Sequence, residues 1–348
     1  MVGKPLLSQV ECMNHAWTSA QAACTRCHDA CPADAIHMHD HLPAIDSDLC
    51  TSCTACVPIC PTSAITHEQI QFDVIVRQAR ALVLQGKRTL RAACSHVSDA
   101  SADLSVPCHA AWNPLLLACL AGEGVHLLEL DGISQCARCP LHHGEQVMAQ
   151  TERDYASLNK ALGVRLVLSR EITEQAVKPQ ELQQPEPERR AFFRKLIPSL
   201  AQGAAMTVAH ISEAMRQDED GQEPDNGLPI MLQIFGRALP RLQPNFTPVP
   251  RLASIPLGSI QADDRCSACG QCVEQCPTKA LELRPFGANR VLEFMPHACI
   301  GCNHCADICP EHAITPLPSL SMPAIAARRS RPLVMVAVPK PEKNTIVS

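Results

Sequence analysis

The 21 cysteines fall into three groups, with none between Cys139 and Cys266. The last group holds two copies of one pattern, Cys266-x-x-Cys269-x-x-Cys272-x-x-x-Cys276-Pro277 and Cys299-x-x-Cys302-x-x-Cys305-x-x-x-Cys309-Pro310. Thiolates are soft ligands that suit zinc or iron–sulfur clusters. Three of them at two-residue intervals on a tight loop can reach three corners of one iron–sulfur cube, while the fourth lies too far along the chain and serves the neighbouring cube. The spacing therefore predicts one [4Fe–4S] cluster on Cys266, Cys269, Cys272 and Cys309, and a second on Cys299, Cys302, Cys305 and Cys276. The crossed ligands would tie the two halves together.

The first group comprises Cys12, Cys24, Cys27, Cys31, Cys50, Cys53, Cys56 and Cys60. Cys50, Cys53, Cys56 and Cys31 complete a third set, but the fourth has only Cys24, Cys27 and Cys60, with Gln21 in the missing position. Glutamine is a poor iron ligand beside thiolate. Either Cys12 supplies the fourth bond or the site holds a [3Fe–4S] cluster. All four motifs close with Cys-Pro-x-x-Ala and then Ile or Leu: Cys31 to Ile36, Cys60 to Ile65, Cys276 to Leu281 and Cys309 to Ile314. Proline stops the chain folding back, and the apolar residue starts a short strand over the cluster. Further short strands are expected at 42–46 and 291–294. Zinc is the competing reading, but it has no use for a third cysteine at the same interval or for interlocked copies.

These residues resemble the bacterial-type two-cluster ferredoxin family twice over, across roughly 10–67 and 255–316. The resemblance implies a ferredoxin-like fold, two pairs of [4Fe–4S] clusters and electron transfer, and Gln21 is its departure from the family pattern.

The middle group is Cys94, Cys108, Cys119, Cys136 and Cys139. Around it the sequence alternates helix and strand. A helix capped by Asp73 ends at Gly86, and a strand spans 89–93. Asn113-Pro114 opens a helix through Leu120, followed by a strand at 125–130, a helix at 145–162 and a strand at 164–168. Such alternation favours a small parallel sheet, whose strand ends would gather Cys94, Cys108, Cys136 and Cys139. Cys119 lies mid-helix among leucines and reads as a buried apolar residue. The segments Val106-Pro107-Cys108-His109, Asn113-Pro114 and Cys136-x-x-Cys139 resemble the delta-subunit domain of methyl-viologen-reducing hydrogenases, although a lone Cys94 replaces that family's first cysteine pair. The resemblance implies a [2Fe–2S] centre passing electrons between a hydrogenase and a disulfide reductase. The residues alone leave [2Fe–2S], [4Fe–4S], structural zinc and a redox-active thiol pair open as the fifth centre.

The scaffold that must position these ligands has 348 residues, 46% of them hydrophobic, but only seven Phe, two Trp and one Tyr. The N-terminal segment 1–8 lacks the apolar core of a signal peptide, so the cysteines are read as reduced ligands in a cytoplasmic protein rather than as disulfides. No run approaches the ~18 apolar residues of a membrane span. A net charge of −5 offers no field for nucleic acid. Neither Gly-x-Gly-x-x-Gly nor a Walker loop occurs. His37, His39 and His41 alternate as if to share one strand face, and a solvated turn is the expected role. Arg189 to Lys195 starts an expected amphipathic helix to Arg216, after a proline-rich linker at 178–187. Residues 217–226 and 239–256 read as exposed connectors, and the stretch after Arg328, Arg329 and Arg331 as a disordered tail.

The fold class is α+β, with two ferredoxin-like dicluster modules (10–70 and 255–318) flanking a small α/β domain (71–170), a linker with an amphipathic helix (171–254) and a flexible tail (319–348). The expected function is a polyferredoxin relaying single electrons between a redox enzyme, such as a hydrogenase or formate dehydrogenase, and another protein. A redox-sensing or maturation accessory role and a zinc-braced scaffold are the alternatives. Redox-enzyme subunits are the expected partners, and docking to a membrane-associated complex is compatible with the lack of a span. Independent catalysis is not expected.

Overall fold

The computed structural model describes residues 3–16, 24–97, 102–139, 141, 143–172 and 228–337. Near the N-terminus every element is short: β1 (Leu6–Leu7), α1 (Met13–Ala16), α2 (Arg26–Asp29), β2 (Ile36–His39), β3 (Leu42–Ile45), α3 (Cys56–Ile59) and β4 (Ile65–Thr66). β1 pairs antiparallel with β4, and β2 with β3. β2 and β4 begin at the isoleucines that close the Cys-Pro-x-x-Ala motifs, and both side chains are buried. His37 and His39 share the exposed face of β2, but His41 sits in the following turn at φ +69°. The three imidazoles therefore do not share one strand face, and all three are exposed.

The middle elements are α4 (Phe72–Leu84), β5 (Thr89–Cys94), β6 (Leu104–Val106), α5 (Pro114–Glu123), β7 (Leu127–Asp131), α6 (Gly144–Leu162) and β8 (Val167–Ser169). The strands form one parallel sheet in the order β6-β5-β7-β8. α4 is capped by Gln71 rather than Asp73, whose carboxylate pairs with Arg77 at 2.8 Å inside the first turn. α5 starts where a cap and a first-turn proline coincide. The Asn113 Oδ1 accepts from the amides of Leu115 and Leu116 at 2.9 and 3.0 Å, satisfying two otherwise free donors. Every residue from Leu115 to Leu120 is fully buried. A helix apolar on all sides must be enclosed on all sides.

That requirement accounts for the next segment. α7 (Ile230–Ala238) follows, and α5 is packed by α4, α6 and α7. Met231, Leu232, Ile234 and Phe235 of α7 are buried, as are Leu239, Leu242, Val249 and Ile255 beyond it. Most of 239–256 is exposed or half-buried, as a connector would be, with Phe246 89% exposed, but the expectation is corrected at those four apolar residues, which complete the cover of α5 and α6. The linker at 178–187, the amphipathic helix from Arg189 to Arg216 and the connector at 217–226 lie outside the described residues.

After β9 (Val249–Pro250) come β10 (Ile260–Ala262), α8 (Gln271–Glu274), β11 (Leu281–Phe286), β12 (Asn289–Phe294), α9 (His304–Asp307), β13 (Ile314–Pro316), β14 (Ser319–Leu320), α10 (Met322–Ala326) and β15 (Arg331–Ala337). β10 with β13 and β11 with β12 repeat the pairings of the N-terminal module. The described part of the expected flexible tail, 319–337, is instead folded. β14 pairs with β9, Met322 and Ile325 of α10 are buried, and β15 adds an antiparallel third strand to β12. An open strand edge seeks a partner, and Arg331 anchors this one. It stacks 5.4 Å from the Phe294 ring centroid and donates to the Ile260 carbonyl at 2.8 Å.

Candidate metal centres

Each three-cysteine loop is shaped by residues with positive φ on either side of its middle cysteine. These are Ser52 and Thr54, Ala268 and Gly270, and Gly301 and Asn303. That backbone turns successive side chains inward, and it recurs in all three complete loops. Around Cys24 and Cys27, Thr25 takes an ordinary φ of −112° instead. This loop is the one that lacks its first cysteine. The distal cysteines also share a geometry, because Asp34, Ser63, Lys279 and His312 all have positive φ three residues after the cysteine. The following amide then turns back: Ala35 donates to Cys31 Sγ at 3.2 Å, Ala280 to Cys276 Sγ at 3.2 Å and Ala313 to Cys309 Sγ at 3.4 Å. Hydrogen bonds to ligand sulfur stabilise thiolate charge and tune a cluster's potential.

The sulfurs of distant motifs lie near one another. Cys276, Cys299, Cys302 and Cys305 line one recess. Cys266, Cys269, Cys272 and Cys309 line another. In the N-terminal module the Cys53 and Cys56 thiols interact electrostatically with Cys31 and Cys50. Cys27 interacts with Cys24, Cys60 and Cys12. Cys12 is thus brought to the three-cysteine set, and Asn14 is the clamp that brings it. The Asn14 side chain, 4% exposed, accepts from the Cys24 amide at 2.7 Å and donates to the Cys24 and His41 carbonyls at 2.9 and 2.7 Å. Gln21 lies outside the described residues.

Burial first, and neighbouring sulfurs after it, push the thiols up: Cys27 and Cys299 to about 12, and Cys272 to about 11. Four such groups in one apolar recess cannot ionise together without a compensating cation, and iron would supply the compensation. Among the described residues no three His, Cys, Asp or Glu side chains converge as they would on a single metal ion. The donor chemistry, the recesses and the amide–sulfur bonds fit iron–sulfur cubes.

At the ends of β5, β6 and β7, Cys94, Cys108, Cys136 and Cys139 border a cavity. The first residue of α6 closes over it, since a Cβ on Gly144 would stand 3.0 Å from Cys108 Sγ and 3.2 Å from Cys136 Sγ. His109 fixes the wall. The Trp112 indole N–H, which can only donate, reaches His109 Nδ1 at 3.2 Å, so the imidazole proton sits on Nε2 and is donated to the Asp131 carbonyl at 2.7 Å. Cys119 is fully buried in α5, away from this cavity.

The five groups also have neighbours. Cys108 interacts with Cys53, Cys56 with Cys27, and Cys305 with Cys272. Between the modules, Arg26 interacts with Cys24 on one side and with Cys302 and Cys299 on the other. Each group thus has a neighbouring group, with Arg26 standing between the two modules, and Cys269 is the exposed cysteine.

Residues 22–64 and 265–313 match the 4Fe-4S dicluster domain family. The dicluster domain therefore occurs twice, at the N-terminal and C-terminal cysteine groups. A ferredoxin of Alicyclobacillus acidocaldarius subsp. acidocaldarius is 49% identical over 43 residues, covering 12% of this chain and 55% of that protein. Ferredoxin 7Fe of Hydrogenibacillus schlegelii is 48% identical over 42 residues, 12% of this chain and 54% of the relative. One component of the ion-translocating oxidoreductase complex of Methanosarcina acetivorans is 50% identical over 42 residues, 12% of this chain and 16% of the relative. The chain spans about half the length of these two ferredoxins and less of the complex component. No solved structure matches. Among the described residues no helix is long and apolar enough to cross a membrane.

Proposed function

We propose that this chain is an iron–sulfur conduit in a reducing, cytoplasmic setting, passing single electrons between a redox enzyme and a second protein. Four [4Fe–4S] clusters would be held by Cys12, Cys24, Cys27 and Cys60; by Cys31, Cys50, Cys53 and Cys56; by Cys276, Cys299, Cys302 and Cys305; and by Cys266, Cys269, Cys272 and Cys309. Cys94, Cys108, Cys136 and Cys139 would hold a fifth centre. The observation that supports this reading is that every group has a neighbour within electrostatic reach, directly or, at the junction of the modules, through Arg26. Each step moves one electron, oxidising the donor cluster by one and reducing the acceptor by one, and no proton or covalent bond needs to change.

A row with both ends accessible suits conduction better than sensing, for which a single exposed cluster would suffice. The middle cavity and the exposed Cys269 mark the two ends. The likeness to a component of an ion-translocating oxidoreductase complex makes such an assembly a candidate partner, alongside hydrogenase or formate dehydrogenase subunits. Anaerobic purification or reconstitution with iron and sulfide tests the reading. Brown protein with roughly sixteen to eighteen irons per chain is expected, the higher figure with a two-iron fifth centre. Colourless protein holding zinc would overturn it.

A further inference from the structure

Arg26 stands where the two dicluster modules meet, at the first residue of α2 between Cys24 and Cys27. Its Nη2 reaches into the Cys299–Cys305 loop, donating to the carbonyls of Ile300 and Gly301 over 3.4 and 3.3 Å. The Arg251 Nη2 donates to the same Gly301 carbonyl at 2.8 Å. Two guanidinium groups therefore converge on one backbone oxygen between two cysteine groups. Burial, with Arg251 adding repulsion, draws the Arg26 guanidinium below its ordinary value, although an arginine stays charged throughout the working range. The second amino group, Nη1, is buried and has no hydrogen-bond partner. A buried unpaired donor on a cation is costly, and two like charges side by side add to the cost. Among the described residues the Ile300 and Gly301 carbonyls offset part of it through Nη2, and none accepts from Nη1. Thiolate-bound clusters on either side would offset the rest, because they bring negative charge and sulfur acceptors to both faces of this cation.

We infer that Arg26 is the electrostatic coupler of the two modules, a shared cation that raises the reduction potentials of the Cys24-side and Cys302-side clusters together and so keeps the gap between them small. The inference rests on the proposed conduit. In the step it governs, one flanking cluster loses an electron and the other gains it. A fixed positive charge beside a cluster stabilises the reduced, more negative form, and low surrounding polarity strengthens the effect. The planar fork of arginine can face two groups at once, which a lysine ammonium does not do as well. Arg251 reinforces the Cys299 side.

The test uses the full chain carrying its clusters, with an EPR-monitored redox titration resolving individual centres. In Arg26→Gln the reduced-to-oxidised ratio of both flanking clusters, at fixed applied potential, should fall about tenfold, which for a one-electron couple is 59 mV. The Cys266-side cluster should shift much less. Arg26→Lys keeps the charge and should stay within about threefold of wild type. Fully loaded Arg26→Gln with unchanged ratios at both centres overturns the inference, as does Arg26→Lys shifted as far as Arg26→Gln. Should Arg26→Gln lose iron at the junction, Arg26→Lys decides: wild-type ratios support the role of charge, and iron loss there too reduces Arg26 to a folding contact and overturns it. Wild-type protein that binds no iron would instead defeat the conduit reading itself.

Discussion

Gly258 tests whether the Cys276, Cys299, Cys302 and Cys305 recess is built to fit a cluster. Its amide donates to the Cys299 carbonyl at 3.0 Å, so the two backbones lie against each other. A Cβ at this position would meet the Gly301 Cα at 2.4 Å, and the Gly301 nitrogen and Cys299 Sγ at 2.8 Å. Ordinary contact needs about 3.5 Å or more between such atoms, so the loop must retreat by about 1 Å. Two of the three obstructing atoms are backbone, and the third is a proposed ligand, so no side-chain rotation relieves the clash. Overpacking of this kind costs about 1–3 kcal/mol. At 1.4 kcal/mol per tenfold, Gly258→Ala should weaken cluster retention about ten- to a hundredfold. Gly287→Ala is the control. It lies in the β11–β12 turn at φ +61° with nothing within 4 Å of a Cβ, so left-handed strain of about 1–2 kcal/mol falls outside any cysteine loop. A chelator challenge should strip about four irons from Gly258→Ala well before any leave Gly287→Ala or wild type. Equal iron loss from Gly258→Ala and wild type would refute the reasoning.

Cys12→Ser should convert the Cys24-side centre to a three-iron cluster, seen as loss of about one iron per chain and a new signal from the oxidised protein; an unchanged cluster would exclude Cys12 as a ligand. Cys119→Ala should leave every centre loaded and cost about 1 kcal/mol in thermal unfolding, because only a buried sulfur is removed. Deleting residues 319–348 should lower stability by about 5 kcal/mol or more, since it removes the buried Leu320, Met322 and Ile325. Calorimetry showing an unchanged melting temperature would restore the tail to a passive role.

The ligand sets are legible in sequence because ligand spacing is a local property. A loop with cysteines at fixed intervals closes around a cluster wherever the module sits, and the prolines and isoleucines after it mark where strands begin. The α5 cap is legible for the same reason, with Asn113 and Pro114 adjacent. What escapes depends on partners distant in the chain. The segment from Leu239 to Ile255 reads as exposed because prolines break any period, and only the all-apolar α5 across from it explains why its scattered leucines are covered. β15 reads as tail because its arginines and proline hide the alternation of Leu333, Val334, Met335 and Val336, whose pairing the open edge of β12 decides. Asn14, Arg26 and His109 carry no motif at all. Each is recognisable by what it bridges: Asn14 joins Cys12 to Cys24, Arg26 joins one module to the other, and His109 joins the Cys108 loop to the end of β7. Asp73 shows the reverse error, where a good capping residue lies two positions inside the helix and a poorer one takes the cap.

The arrangement of the centres is open to direct measurement by EPR of the fully reduced, iron-replete protein. If the clusters stand in a row, each paramagnetic centre lies beside another, and the spectrum should be broadened and split by magnetic coupling, with fast relaxation throughout. A spectrum that is the simple sum of isolated, slowly relaxing clusters would contradict the row, and with it the conduit.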